Sequence, residues 1–222
     1  MRKRAVERRL ARTESFRDPS LALEQYPTPP DVAAQLLHLA AMRGDLAGTV
    51  VDLGTGTGRL ALAAACHEPR FVVALDVDGG ALRVARENEA RVEPPTRVDW
   101  VCGDVTRLPA TRRSLSSGGG GEGDAGRVSG EADVTVVANP PFGAQDGREG
   151  ADRAFLAAAA ETADVSYTLH NAGSRSFVES FAADEGGRVT DAFGVELAVD
   201  NAFDHQTAAR RVIDAEAYRI EW

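Results

Sequence analysis

One stretch, Val50-Val-Asp-Leu-Gly-Thr-Gly-Thr-Gly, constrains this chain more than any other. A short apolar run of strand character leads straight into three alternating glycines, and an Ala/Leu-rich helical segment, Leu60 to Cys66, follows. A strand that ends in glycines and reopens as a helix is the first unit of an open α/β sheet. Only glycine lets the backbone turn that sharply and still approach a ligand closely. The spacing Gly54-x-Gly56-x-Gly58 is not the G-x-G-x-x-G that cradles a pyrophosphate, and Asp52 precedes the glycines.

The remaining elements repeat the alternation. Asp31 to Met42 has helical spacing with Asp31 as N-cap, and Gly80 to Ala90 and Asp152 to Ala163 are also expected as helices. Phe71 to Asp76, Val98 to Asp104, Val134 to Asn139 and Val165 to His170 are apolar runs of strand length. Strands apolar on both faces imply a parallel sheet covered by helices on both sides. Arg188 to Val199 and Arg211 to Trp222 instead alternate apolar with polar residues, as an antiparallel pair closing the sheet edge would. The expectation is a seven-stranded Rossmann-like α/β domain over residues 20–222, preceded by a basic segment, 1–19, that forms a helix or a loose arm. A glycine-rich stretch at about 114–130 has no apolar period and is expected as a flexible surface insertion. Its acidic residues argue against a phosphate-binding loop.

Composition narrows the setting. At 222 residues the chain suits one core, and no apolar run approaches a membrane span. The basic start lacks the apolar region of a secretory signal, so a soluble cytoplasmic protein is expected. Cys66 and Cys102 lack metal-ligand spacing and are expected as reduced thiols, with no metal site. The net charge is −9, and Lys3 is the only lysine. That balance fits a salt-adapted cytoplasm, where charge keeps the protein soluble and its self-repulsion is screened. It also disfavours broad phosphate binding, so any nucleic-acid contact must come from local arginines or a companion subunit.

Three acids mark a ligand site. Asp52, Asp76 and Asp104 stand at the ends of three successive strands, where open α/β sheets bind ligands. The pattern suits S-adenosyl-L-methionine, which carries no phosphate. Asp52 answers its ammonium group, usually through water; Asp76 accepts its ribose hydroxyls and Asp104 its adenine amine. Asn139-Pro140-Pro141-Phe142 ends the fourth strand and points to the chemistry. The lone pair of an aromatic amine is delocalised into its ring. An amide oxygen (Asn139) and a fixed backbone carbonyl (Pro140) can both accept from that amine and draw it toward tetrahedral geometry. Phe142 can stack on an extruded base. The expectation is therefore a class I methyltransferase acting on a planar nitrogen. Adenine, cytosine, guanine N2 and a protein glutamine all remain open at this point, as does a non-catalytic scaffold subunit.

Several further segments narrow the acceptor. Leu23-Glu-Gln-Tyr-Pro-Thr, Asp52-Leu-Gly-Thr-Gly, Asp76, Asp104-Val, Asn139-Pro-Pro-Phe-Gly, Asp152-Arg-Ala-Phe-Leu and Tyr167-Thr-Leu-His run in order from about residue 20 to the C-terminus. With them the chain resembles the methyltransferase-like-five type of ribosomal RNA adenine-N6 methyltransferases, in an archaeal and haloarchaeal form. The resemblance implies methyl transfer to one adenine of small-subunit rRNA. It implies cofactor contacts from Gln25, Thr28, Gly54, Gly56, Thr57, Asp76, Asp104 and Val105. It also implies a small zinc-ribbon methyltransferase activator that adds a strand beside the sheet. A DNA adenine enzyme would usually carry a separate recognition domain, and the glutamine type normally has Tyr where Phe142 stands. Two departures stand out: the long glycine-rich stretch, and Asn171 where many relatives carry a lysine. His170 is expected to be structural, with a substrate-side polar role as the alternative; Arg2 to Arg12 and Arg210-Arg211 are candidate rRNA contacts, with solvated surface charge the leading alternative.

Overall fold

A computed structural model describes residues 1–108, 132–142, 150–199 and 211–222. In chain order the elements are α1 (Lys3–Leu10), α2 (Pro30–Arg43), β1 (Thr49–Leu53), α3 (Arg59–Ala65), β2 (Phe71–Asp76), α4 (Gly79–Val92) and β3 (Val98–Cys102). Then follow β4 (Val134–Ala138), α5 (Ala151–Thr162), β5 (Val165–Asn171), α6 (Arg175–Asp184), β6 (Arg188–Val199) and β7 (Arg211–Glu221). The strands form one seven-stranded sheet in the order β3-β2-β1-β4-β5-β7-β6. The first five are parallel, and β7 inserts antiparallel between β5 and β6. The expected α/β architecture and its antiparallel C-terminal pair are both present. The glycine-rich stretch and Arg210 lie outside the described residues.

Alternation along the strands explains the two covered faces. Val50 of β1 packs into a core shared with α1, α2 and α3, while Val51 and Leu53 pack into one shared with α5. Both β1 and β4 are buried along their whole length. The strand order reverses between these two, so a crevice opens at their carboxyl ends.

The basic segment 1–19 is part of that construction. Val6 and Leu10 of α1 are fully buried in the main core, which ties the segment to the domain. Arg9 donates to the carbonyls of Val92 and Glu93 and Arg12 to that of Val92, filling acceptors that the end of α4 leaves open. One helix was not anticipated from sequence. In α6, Val178, Phe181 and Ala182 are buried against Leu156, Tyr218 and Ile220.

A closed polar cluster anchors the opposite end of the sheet. Arg219 of β7 donates through Nε (2.8 Å) and Nη2 (3.1 Å) to the two carboxylate oxygens of Asp45, which precedes β1. The Tyr167 hydroxyl donates to the same carboxylate, and Arg219 Nη1 reaches Thr190 and Glu221. Burial and the neighbouring carboxylate push the Tyr167 phenol up. Both cysteines are free thiols, Cys66 buried and Cys102 exposed on β3. Among the described residues no helix is long and apolar enough to cross a membrane.

Candidate active site

The crevice deepens into a cavity of about 340 Å³. Its floor is the turn after β1. Gly54, Gly56 and Gly58 all take left-handed φ, at +66°, +56° and +89°. A Cβ on Gly54 would lie 2.7 Å from the Phe155 ring, one on Gly56 2.8 Å from Phe16, and one on Gly58 2.7 Å from Trp100. Both the backbone conformation and the space therefore require glycine.

The three acids differ in what they do. Asp52 is fully buried beneath the turn and does not line the cavity. Its Oδ2 accepts from the Thr55 hydroxyl (2.6 Å) and the Ala61 N–H (2.8 Å), so it staples the glycine turn to α3. Its Oδ1 is buried and has no hydrogen-bond partner among the described residues, and burial pushes the carboxyl up to about 7. Asp76 lines the cavity and accepts from the N–H groups of Gly56 (2.7 Å) and Asp78 (2.8 Å). Burial raises its pKa against those bonds. A carboxylate has lone pairs to spare beyond these two. Asp104 also lines the cavity; its Oδ1 accepts from the Thr106 N–H and hydroxyl, which hold the carboxyl below its usual range.

The Glu24-Gln-Tyr-Pro-Thr segment crosses over these loops. Gln25 Nε2 donates to Asp78 Oδ2 at 2.8 Å, and its Oε1 accepts from the Ser20 N–H. Thr28 is buried, and its hydroxyl accepts from Asn139 Nδ2 at 3.1 Å. Asn139 Oδ1 is buried and has no partner among the described residues. A buried amide oxygen left unpaired costs about 1–3 kcal/mol, so the site holds an acceptor in reserve for a ligand donor.

Gln25, Thr28, Gly54, Gly56, Thr57, Asp76, Asp104, Val105, Asn139 and Pro141 all line the cavity. Asp52, Pro140 and Phe142 do not. Pro140 is buried, and Phe142 packs at 45° against Tyr26 with ring centroids 5.8 Å apart. The Phe142 carbonyl accepts from Asn171 Nδ2 at 3.3 Å, so the residue in the lysine position braces the Asn139-Pro-Pro-Phe turn. His170 is 1% exposed, 3.0 Å from the Thr168 hydroxyl and edge-on to Tyr218.

Phe16, Arg59 and Phe155 line the cavity without having been anticipated. Arg59 carries the positive charge among the described lining residues, and it donates to the Thr13 hydroxyl (2.9 Å) and the Thr28 carbonyl (3.0 Å). Its place directly after Gly58 was the available signal. The two phenylalanines reach bare glycines from distant segments, which no local pattern announces.

The lining suits S-adenosyl-L-methionine. A bare glycine floor, a carboxylate with spare lone pairs at Asp76, Asp104 and mixed polar and apolar walls match a zwitterion joined to a nucleoside. Comparisons with known proteins agree. A methyltransferase-domain family matches residues 50–116. The rRNA N(6)-adenosine-methyltransferase Mettl5 of Drosophila melanogaster is 30% identical over 98% of this chain and 95% of its own length. The zebrafish (Danio rerio) enzyme of the same name is 32% identical over 83% of this chain and 81% of its own. A crystal structure from Pyrococcus horikoshii, described as a candidate RNA methyltransferase, superposes with a TM-score of 0.79 at 31% identity. It covers 100% of this chain and 98% of that one. The chain belongs to the Mettl5 family of rRNA N6-adenosine methyltransferases.

Proposed function

We propose that the chain transfers a methyl group from S-adenosyl-L-methionine to the N6 amino group of an adenine in small-subunit rRNA. One observation carries the reading: the buried Asn139 Oδ1, without a partner among the described residues, whose amide nitrogen is already committed to Thr28. The cofactor supplies an electrophilic sulfonium methyl. Asn139 Oδ1 would accept a hydrogen bond from one amino N–H of the target and the Pro140 carbonyl from the other. With both N–H groups held, the target nitrogen's lone pair would turn out of the ring toward the methyl group that the cofactor would supply from its sulfonium. The methylated nitrogen carries an acidic proton that leaves to solvent, so positioning does most of the work and no strong base is needed. Phe142, held by Tyr26 and by the Asn171 bond to its carbonyl, offers a ring to the extruded base.

Two partner readings belong with this. Arg9 and Arg12 cap α4, which leaves the exposed Arg2, Arg4 and Arg8 as the N-terminal candidates for rRNA phosphates. The small zinc-ribbon activator implied by the family would add its strand beside β3, an edge strand with Val101 and Cys102 exposed. The test of the site is Asn139→Ala. Cofactor affinity by calorimetry should stay near wild type, while methyl transfer to rRNA falls by about 10²–10³-fold. Activity comparable to wild type in that variant would remove the mechanism.

A further inference from the structure

We infer that the Arg59 guanidinium recognises the carboxylate at the amino acid end of the cofactor and makes the site specific for the intact amino acid. The inference rests on the proposed use of S-adenosyl-L-methionine. The methyl-transfer chemistry itself does not involve this side chain.

The carboxyl ends of four neighbouring strands give the ligand a direction. Along the sheet order β3-β2-β1-β4 they carry, in turn, Asp104, Asp76, then Gly54 and Gly56 with Arg59, and last Asn139. All six residues line the cavity. An adenine at Asp104 and a ribose at Asp76 would bring the amino acid end over the glycine turn, with the sulfonium methyl toward Asn139. That amino acid end carries the one negative group of the cofactor. The described lining residues offer three acids, Glu24, Asp76 and Asp104, and a single cation, Arg59. A carboxylate entering beside those acids is repelled by them and attracted by that cation.

Arg59 has the form for this task. A guanidinium stays protonated and presents five N–H donors in a planar fork that matches a carboxylate. Arg59 is half-buried, and its plane is fixed from two sides. Nε donates to the Thr13 hydroxyl at 2.9 Å and Nη1 to the Thr28 carbonyl at 3.0 Å. The Thr13 hydroxyl in turn donates to the Leu10 carbonyl at 2.7 Å, and Leu10 is fully buried. The fork is thus oriented at the cavity wall by the end of α1 and by the segment before α2.

Two probes isolate the carboxylate: S-adenosyl-L-methionine and decarboxylated S-adenosylmethionine, which lacks only that group. Calorimetry measures the affinity of each for wild type, for Arg59→Met, which removes the donors, and for Arg59→Lys, which keeps charge without the fork. Melting temperatures are taken alongside. Wild type should prefer the intact cofactor by about 10–100-fold. Arg59→Met should bind the two probes within about threefold of each other, the loss falling on S-adenosyl-L-methionine. Arg59→Lys should keep an intermediate preference. Asp76→Ala should weaken both probes alike, since both carry the ribose. An equal loss of both probes in Arg59→Met would overturn the inference and leave Arg59 as a brace for Thr13 and Thr28. A methionine variant that keeps the full preference would overturn it too. Should that variant fail to fold, a lysine variant with the full wild-type preference would decide against the fork. Wild type that binds neither probe defeats the cofactor reading itself, whereas wild type that binds both equally sinks the role of Arg59 alone.

Discussion

The two ends of the sheet use the same kinds of polar side chain in opposite ways. At the amino-terminal end, Asp45 is saturated: Arg219 occupies both of its oxygens and Tyr167 adds a third bond. Around it, the Thr135 hydroxyl donates to the Asp45 carbonyl. At the carboxyl end the groups are held just as firmly but left incomplete. Among the described residues Asp52 keeps one oxygen unpaired, and Asn139 is gripped through its nitrogen while its buried oxygen has no partner. Since an unpaired buried polar group costs stability, its placement beside a cavity identifies a ligand site. Burial alone does not separate the Asp45 cluster from Asn139; completeness of hydrogen bonding does.

The sharpest way to break that comparison is at the saturated end. Arg219→Met leaves Asp45 buried and uncompensated, and denaturant unfolding should show a loss of about 3–5 kcal/mol. Cofactor affinity of the folded fraction should be unchanged. A loss of cofactor binding without a loss of stability would mean that the two ends are not distinct in role. At the open end, Asp76→Ala should weaken cofactor binding by about 1.5–3 kcal/mol in calorimetry, the range for hydrogen bonds to a charged group. Unchanged affinity would take Asp76 out of the site.

A smaller effect concerns Asp52. Burial raises its carboxyl to about 7 in the folded protein, against about 3.9 for an unperturbed aspartate. Between those values the folded state holds a proton that the unfolded chain has lost, so this group's contribution to stability is lost as pH rises through that window. Asp52→Asn removes the titration. Its stability relative to wild type should therefore improve from pH 5 to pH 8 in urea unfolding. A constant difference across that range would show that Asp52 does not titrate there.

Much of this was legible in the sequence because the signals are local. Glycines Gly54, Gly56 and Gly58, the strand-end acids and Asn139-Pro-Pro-Phe all announce themselves within a few residues; Gly54, Gly56, Asp76, Asp104, Asn139 and Pro141 line one cavity, and Gly58, Asp52, Pro140 and Phe142 lie outside its lining. What stayed hidden depends on distant packing. The Asp45–Arg219 pair joins residues 174 positions apart, so neither residue looks special in its own window. Phe16 sits in a segment whose arginines suggest a solvated arm, yet its ring covers Gly56. Helix α6 was overlooked because its buried stripe is three residues long in effect, Val178, Phe181 and Ala182, on an otherwise polar segment. Asp52 illustrates a subtler limit: its position was readable, but the direction of its carboxylate, down onto Thr55 and Ala61, is a tertiary property.

The most direct test of the account is chemical identification of the product. Unmethylated small-subunit rRNA is incubated with the protein, alone and with the zinc-ribbon activator, and with S-adenosyl-L-methionine carrying a deuterated methyl group. The RNA is then digested to nucleosides and read by mass spectrometry. The account predicts label in N6-methyladenosine at a single site, and its absence with Asn139→Ala. Label on guanine N2, or no label anywhere in the RNA from protein that binds the cofactor, would contradict it.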